Sequence, residues 1–381
     1  MTEYLIWLQS ALGAGNIRAV KALGFFGNAE NIYKASALER KSSGIFSPKD
    51  LSRLSSTKID IAERIIDDCR KYGIDIIPLG DKKYPYCLSV IDNPPIVLFV
   101  KGEMLDFDTI PAICIVGPRK VSDYGKKAAY SLGFRLSKSG MTVVSGGAVG
   151  SDYYAHVGAL KAGGKTALVM ACGIESGYLM QNEPLRKYVS ENGCIISEHP
   201  PKAGLTRFSF HIRNRIMSAL ALGSVVVEAG EQSGALITAN HALNQGRDVF
   251  VIPGSPTEKQ YVGSNALLRD GAKPLLDVSD IFNEYIPRFP DKIDINKAYE
   301  KPPKAVKKTE KAEVHKKLSN ETLSKEAKIV YNHLDKDKFY PDEIGGTDLS
   351  SSEILSALIE LELEGIVRAL PGGRYEVTEN N

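Results

Sequence analysis

A chain of 381 residues exceeds what one hydrophobic core ordinarily organises, so two or three domains are expected. With 43% hydrophobic and 25% charged residues it has the balance of a soluble globular protein. A formal net charge of +2 excludes a partner held by bulk charge, so any polyanion has to be gripped by a local basic patch. The five cysteines (Cys69, Cys87, Cys114, Cys172, Cys194) form no CxxC pair and have no clustered histidines beside them, which argues against zinc and against a disulfide framework. The first fifteen residues lack a basic segment and are interrupted by Glu3 and Gln9, so no signal peptide is read there. No apolar run approaches the roughly 18 residues of a membrane span, and a cytoplasmic protein without membrane contact is expected.

Residues 1–75 read as small helices. Leu5, Leu8 and Leu12, then Ile17, Val20 and Leu23, keep helical spacing and are broken by Gly13, Gly15, Gly24 and Gly27. The string LGAGNIRA at 12–19 matches a helix-hairpin-helix pattern, in which a glycine turn offers backbone amides to a nucleic-acid phosphate; the plain alternative is a structural turn. A further helix over 61–72 stops at Gly73. Residues 74–111 have extended character, with turns at Tyr84-Pro85 and Asn93-Pro94-Pro95, and are read as a lead-in to the next domain.

From 112 to about 288 strand and helix signals alternate. Strands are expected at 112–116, 141–145, 166–171, 194–198, 224–229 and 249–253, with helices near 124–139, 153–162, 182–191, 213–222 and 235–245. Parallel neighbours need crossover helices, so the alternation predicts an α/β fold with an extended Rossmann-like, doubly wound parallel sheet. Functional residues then belong to the loops after the strands: GPRK (117–120), GGAVGSD (146–152), CGIESGY (172–178), HPPK (199–202), GEQSGA (230–235) and GSPT (254–257). Small residues dominate these loops and let a phosphate-bearing ligand approach the backbone.

Standard nucleotide motifs are each missed. A dinucleotide fingerprint requires glycine where Ser145 stands ahead of Gly147 and Gly150, and the P-loop-like GALKAGGKT (158–166) has one residue too many and precedes a strand. Neither NAD binding nor ATP hydrolysis is assigned. No nucleophile elbow, zincin motif or metal-spaced acidic cluster occurs. Asp152 and His156, four apart, are a possible proton-relay pair on one helix face, as against a capping aspartate and a packed histidine; Glu198-His199 has the same two readings. In RFSFHIRNRI (207–216), arginines interleave with Phe208, Phe210 and His211, a composition suited to phosphate and unstacked bases. Arg213 and Arg215 point in different directions on a helix, so one of the three arginines is expected to serve an internal ion pair.

Residues 289–322, rich in lysine and proline with few large apolar residues, read as a basic flexible linker. Over 323–381, Ile329, Leu334, Ile344, Ile354, Leu355, Leu358, Leu361 and Leu363 restore helical spacing, and 366–370 and 375–377 flank PGGR as a hairpin, together suggesting a winged helix. Its recognition helix, 350–364, carries Glu353, Glu360, Glu362 and Glu364 and no Lys or Arg. Groove binding would set carboxylates against phosphates, so protein contact or autoregulation is expected there instead.

Taken together, IVGPRK and YG (115–125), VVSGGAVGSD and AH (143–156), SEHPP (197–201), RNRI (213–216), VVVEA and SGALITA (225–239) and VFVIPG (249–254), with the upstream D-x-x-YP and DNPP segments, resemble the DNA-processing protein A (DprA/Smf) family. The resemblance covers roughly 75–280. It implies a non-enzymatic protein that binds single-stranded DNA, protects incoming strands in natural transformation (competence) and DNA recombination, helps load a RecA-type recombinase, forms a homodimer through the Rossmann core and needs no cofactor. It also implies a small N-terminal helical domain, SAM-like or helix-hairpin-helix-like, and a C-terminal winged-helix-like domain, giving boundaries of 1–75, 76–288, 289–322 and 323–381. Carried over by position, DNA contacts fall on Gly117, Arg119, Lys120, Ser145, Gly146, Gly147, Gly150, Lys165, Gly173, Asn182, Arg186, Lys187, Phe208, Arg213, Asn214, Ser233 and Gly234, with Arg119 first. Val149 stands where the family carries arginine, a loss for which Lys120, Lys126 or Lys165 is expected to compensate. The rival is a phosphoribohydrolase-like enzyme of related architecture, whose PGGxGTxxE signature has only Glu228–Ala235 as a counterpart.

Overall fold

The computed structural model describes residues 1–300, 323–334, 338–370 and 373–378. Its centre is a nine-stranded sheet: β1 (Ile74–Pro78), β2 (Val97–Gly102), β3 (Ala112–Val116), β4 (Thr142–Ser145), β5 (Thr166–Met170), β6 (Gly193–Ser197), β7 (Gly223–Val226), β8 (Asp248–Val251) and β9 (Lys273–Pro274), in the order β1-β2-β6-β5-β4-β3-β7-β8-β9. β6 through β9 in that order are mutually parallel, whereas β2 is antiparallel to both β6 and β1. All five residues of β3 are buried, because helices cover both faces of the sheet and a two-sided strand reads as a continuous apolar run.

The strand sequence runs outward from β3 to β6, then returns to β7 beside β3, so the winding direction reverses between β3 and β7. Ligands of open α/β sheets bind at such a reversal, outside the carboxyl ends of the strands. Every strand expected between 112 and 253 forms, with ends shifted by up to three residues. The β1–β2 hairpin was legible only as a lead-in: its partner β6 lies about ninety residues further along the chain, and no local pattern announces the pairing.

Six short helices fill residues 2–72. They have no separate core: Trp7, Leu8 and Ile32 are buried in the same apolar cluster as Phe99, Leu168 and Leu185 of the sheet layer. The Gln9 amide is locked across the junction, donating to Val97 O (3.2 Å) and Glu198 O (2.6 Å) and accepting from Val97 N (3.0 Å). At the other end, residues 289–300 belong to the core and not to a linker, since Ile293 and Ala298 pack with Leu136 and Phe282 and Asp294 N donates to Ser139 O (2.9 Å). The lysine-rich 301–322 lies outside the described residues.

The C-terminal domain has helices Lys325–Asn332 and Ser351–Leu363 and a small sheet in the order β10 (Lys338–Phe339), β12 (Tyr375–Val377), β11 (Val367–Ala369). Ser350 and Glu353 cap the second helix reciprocally, and Ile354, Leu358 and Leu361 bury its apolar face against Val330 and Phe339. The same helix rests on the core: Ile359 joins the large cluster, Tyr153 Oη donates to Glu362 (2.8 Å), Tyr188 Oη donates to Glu364, and Lys161 Nζ donates to the Leu363 carbonyl. Among the described residues no helix is long and apolar enough to cross a membrane.

Candidate nucleic-acid interface

The loops after β3, β4, β5, β6 and β7 meet along one edge. The β3 loop is tied to the helix after β4, with Ser151 N donating to Pro118 O (3.2 Å), and to the β7 loop, where the buried Glu228 carboxylate accepts from Ser122 N (3.1 Å), from Ser122 Oγ and from Tyr261 Oη (3.2 Å). Gly150 has φ +88°, and a Cβ there would press on the carbonyl oxygens of Pro118 and Arg119, so only glycine allows the two loops to seat together.

Above this frame Arg119 and Lys120 are exposed. The Arg119 guanidinium lies over the Phe210 ring, 4.8 Å from its centroid, and Phe210 meets Tyr178 edge-on at 6.1 Å. Beside them Phe208 is 61% exposed with Arg207 over its ring at 5.7 Å. Ser233 caps the helix Gly234–Asn244 by accepting from Ala235 N (3.3 Å), and Gly234 is exposed at that helix start. Cations and ring faces therefore share one accessible ridge. Lys187 is also exposed, further along and next to the C-terminal domain.

Several expected contacts are corrected by burial. Arg213 is 6% exposed and caps main-chain carbonyls, donating to Gly146 O (2.8 Å) and Val169 O, and it also reaches Asn214 Oδ1 (3.1 Å). Asn182 donates to Gly147 O (2.9 Å), and Arg186 to Tyr178 O (2.8 Å), Leu179 O (3.2 Å) and Glu183. These side chains satisfy carbonyls left over by tight loops and fix the edge instead of reaching out from it. Ser145 is buried and donates to Ile115 O (2.7 Å). Gly173 is buried, with its N–H donating to Ala203 O (2.7 Å) across the β5 and β6 loops. Lys165 precedes β5, so it sits at the amino-terminal edge of the sheet, where it pairs with Glu103 (3.1 Å), and cannot replace the missing arginine at Val149.

The acid–base candidates are structural too. Burial pushes the Asp152 carboxyl up despite nearby Arg213, and its bond is to Ala148 N (3.4 Å). His156 shares a 2.8 Å hydrogen bond with Thr166 Oγ1, and burial lowers its pKa to about 3. Of the arginines, it is Arg215 that forms the internal pair, with Glu198 at 2.6 Å. The same carboxylate accepts from Gly15 N (2.9 Å), so the amide that the helix-hairpin-helix reading offers to DNA is already taken, and Asn93 Nδ2 holds the Gly15 carbonyl (2.7 Å). Among the described residues no group of three or more His, Cys, Asp or Glu is placed to hold a metal ion.

Phe210 and Tyr178 are the contributors that sequence reasoning did not place. Phe210 lay within the aromatic–arginine run, but its pairing with Arg119 joins residues ninety-one positions apart.

A family model described as DNA recombination-mediator protein A matches residues 75–286, and a DprA winged helix domain model matches 314–373. The DNA processing protein DprA of Bacillus subtilis is 39% identical over 221 residues, which is 58% of this chain and 74% of that protein. The X-ray structure of DNA processing protein A from Streptococcus pneumoniae superposes with a TM-score of 0.64 at 30% identity, covering 74% of this chain and 98% of that one. The Helicobacter pylori DNA processing protein A, solved for its single-stranded DNA binding mode, gives a TM-score of 0.52 at 27% identity over 57% of this chain and 97% of that one.

Proposed function

This chain belongs to the DNA recombination-mediator protein A family, and from that premise we propose that it binds single-stranded DNA along the carboxyl edge of its sheet. The observation that carries the reading is the ridge of Arg119 over Phe210, with Lys120, Arg207 and Phe208 beside it: fixed cations for phosphates and exposed rings for unpaired bases. The Helicobacter relative's single-stranded DNA binding mode supports the same ligand class.

Its work is holding and handing over a strand, without bond-breaking chemistry. Asp152, His156, Glu198 and Glu228, the acid–base candidates of the sequence, all have internal partners, and Glu228 in particular faces Ser122 and Tyr261, which supports this reading. As a recombination mediator it protects incoming single strands in the cytoplasm and helps load a RecA-type recombinase during natural transformation, as a homodimer joined through the Rossmann core. Titration of the full chain with single-stranded and duplex oligonucleotides tests the reading. Preference for the single strand, a log–log salt slope of about −0.7 per neutralised phosphate, and weakening by Arg119→Ala are expected. Equal affinity for duplex would overturn it.

A further inference from the structure

The C-terminal domain and the core together enclose a groove of about 560 Å³ that the function above leaves unassigned. One wall is the start of the core helix Asp123–Lys138, with Lys126, Lys127 and Tyr130; the adjoining helix Ser151–Lys161 contributes Tyr154 and Lys161; β11 supplies Arg368 opposite. The two carboxylates of the lining are both engaged. Asp123 pairs with Lys126 (2.9 Å), and Glu362 accepts from Tyr153 Oη (2.8 Å) and Ala369 N (3.1 Å). Arg368 pairs with Glu376 on the neighbouring strand and Lys161 holds the Leu363 carbonyl beside Glu362, whereas Lys127 forms no ion pair among the described residues. The groove thus keeps an excess of positive charge, and Tyr130 is 37% exposed within it.

The position of the groove matters as much as its charge. The helix carrying Tyr154 begins at Gly150, whose backbone supports the Arg119 loop, so Tyr154 lies one helical turn, about 5.4 Å, along from that support. Asp123, four residues after Arg119, lines the groove, so the groove begins where the Arg119 loop ends. Lysines alternating with tyrosine rings suit a polyanion whose bases are unstacked, because a duplex keeps its base faces inside.

We propose that this groove is a second segment of the single-strand path, completed by the C-terminal domain, in which Lys127 and Arg368 hold phosphates and Tyr130 and Tyr154 receive bases. The proposal rests on the single-strand reading above and extends it from one edge to a bipartite track.

Binding of the full chain to short and long oligothymidylates, of about 8 and about 30 nucleotides, separates the two segments. The double variant Lys127→Glu/Arg368→Glu is expected to weaken the long oligonucleotide about tenfold or more, to flatten its salt slope by about 0.7 for each phosphate no longer neutralised, and to leave the short one unchanged. Tyr130→Ala is expected to weaken the long one by about fivefold. Wild-type affinity of these variants for the long oligonucleotide, or equal weakening on both lengths, overturns the second segment while the primary reading stands. If Arg119→Ala changes neither length, the primary reading fails and the track with it. Photocrosslinking of the unmodified protein to halogenated-uracil single strands does not depend on variants folding: adducts on Tyr130 or Tyr154 support the groove, and adducts confined to 117–120 and 207–210 overturn it.

Discussion

Arg215 donates to Glu198 across 2.6 Å with both side chains more than nine-tenths buried, and the same carboxylate holds the Gly15 amide of the N-terminal helices. One ion pair therefore joins the helix after β6, the end of β6 and the N-terminal region. Removing one member leaves a buried charge uncompensated, at a cost of about 3–5 kcal/mol. Arg215→Met should lower stability to chemical denaturation by that order, and Arg215→Met combined with Glu198→Gln should recover part of it. Glu198→Ala, which removes the acceptor of the Gly15 amide, should also open the Gly13–Gly15 turn to limited proteolysis. Unaltered cleavage there would show that Glu198 does not anchor the turn.

Gly150 links fold to site more directly. Its φ of +88° with ψ of −134° lies in a region that costs other residues about 1–3 kcal/mol, and a Cβ would press on the Pro118 and Arg119 carbonyls. Gly150→Ala should therefore lose stability of that order and also displace the Arg119 loop, weakening single-strand binding. Gly163→Ala is the matched control: φ is +73° but nothing lies within 4 Å of the added Cβ, so any destabilisation there is strain alone with binding intact. Equal affinity of the two variants would separate the loop's position from DNA binding.

These residues also explain what was readable in the sequence. The parallel core was legible because a strand covered on both faces, such as β3, is uninterrupted apolar sequence and breaks into glycine at the edge. Which arginine serves the ligand was not. An arginine that caps loop carbonyls, as Arg213 and Arg186 do, and one left exposed, as Arg119 is, occupy the same kind of glycine-rich surroundings, and only burial separates them. The acidic character of the Ser351–Leu363 helix, by contrast, was informative, since Glu362 and Glu364 accept hydrogen bonds from tyrosines of the core.

The docking of that helix has a pH dependence of definite sign. Burial holds the Glu362 carboxyl above the usual range, although the Ala369 N–H, the Tyr153 hydroxyl and Lys161 pull the other way. The docked state thus takes up a proton more readily than the released one. Docking should be firmest near and below the ordinary glutamate range and should weaken as pH rises through the raised value. Solution scattering at a series of pH values rising from the ordinary glutamate range should register a growing radius of gyration; Glu362→Gln should abolish the trend. Tyr153→Phe, which removes a donor from a half-buried carboxylate, should favour release by about 1 kcal/mol at neutral pH.

His156 makes the opposite case, a histidine kept neutral by burial. It is fully buried against Thr166, with Arg213 nearby, and its pKa is lowered to about 3. In the unfolded chain the imidazole takes a proton near pH 6.5, so below that value the unfolded state binds more protons than the folded one. Its contribution to stability is whole above about pH 6.5 and declines as pH falls towards 3, with a slope approaching 1.4 kcal/mol per pH unit from this group alone. Urea unfolding at a series of pH values should reveal that decline, and His156→Gln should reduce its slope by about one proton while lowering stability at pH 7.5 through poorer packing. An unchanged slope in the variant would mean that another buried group governs acid unfolding.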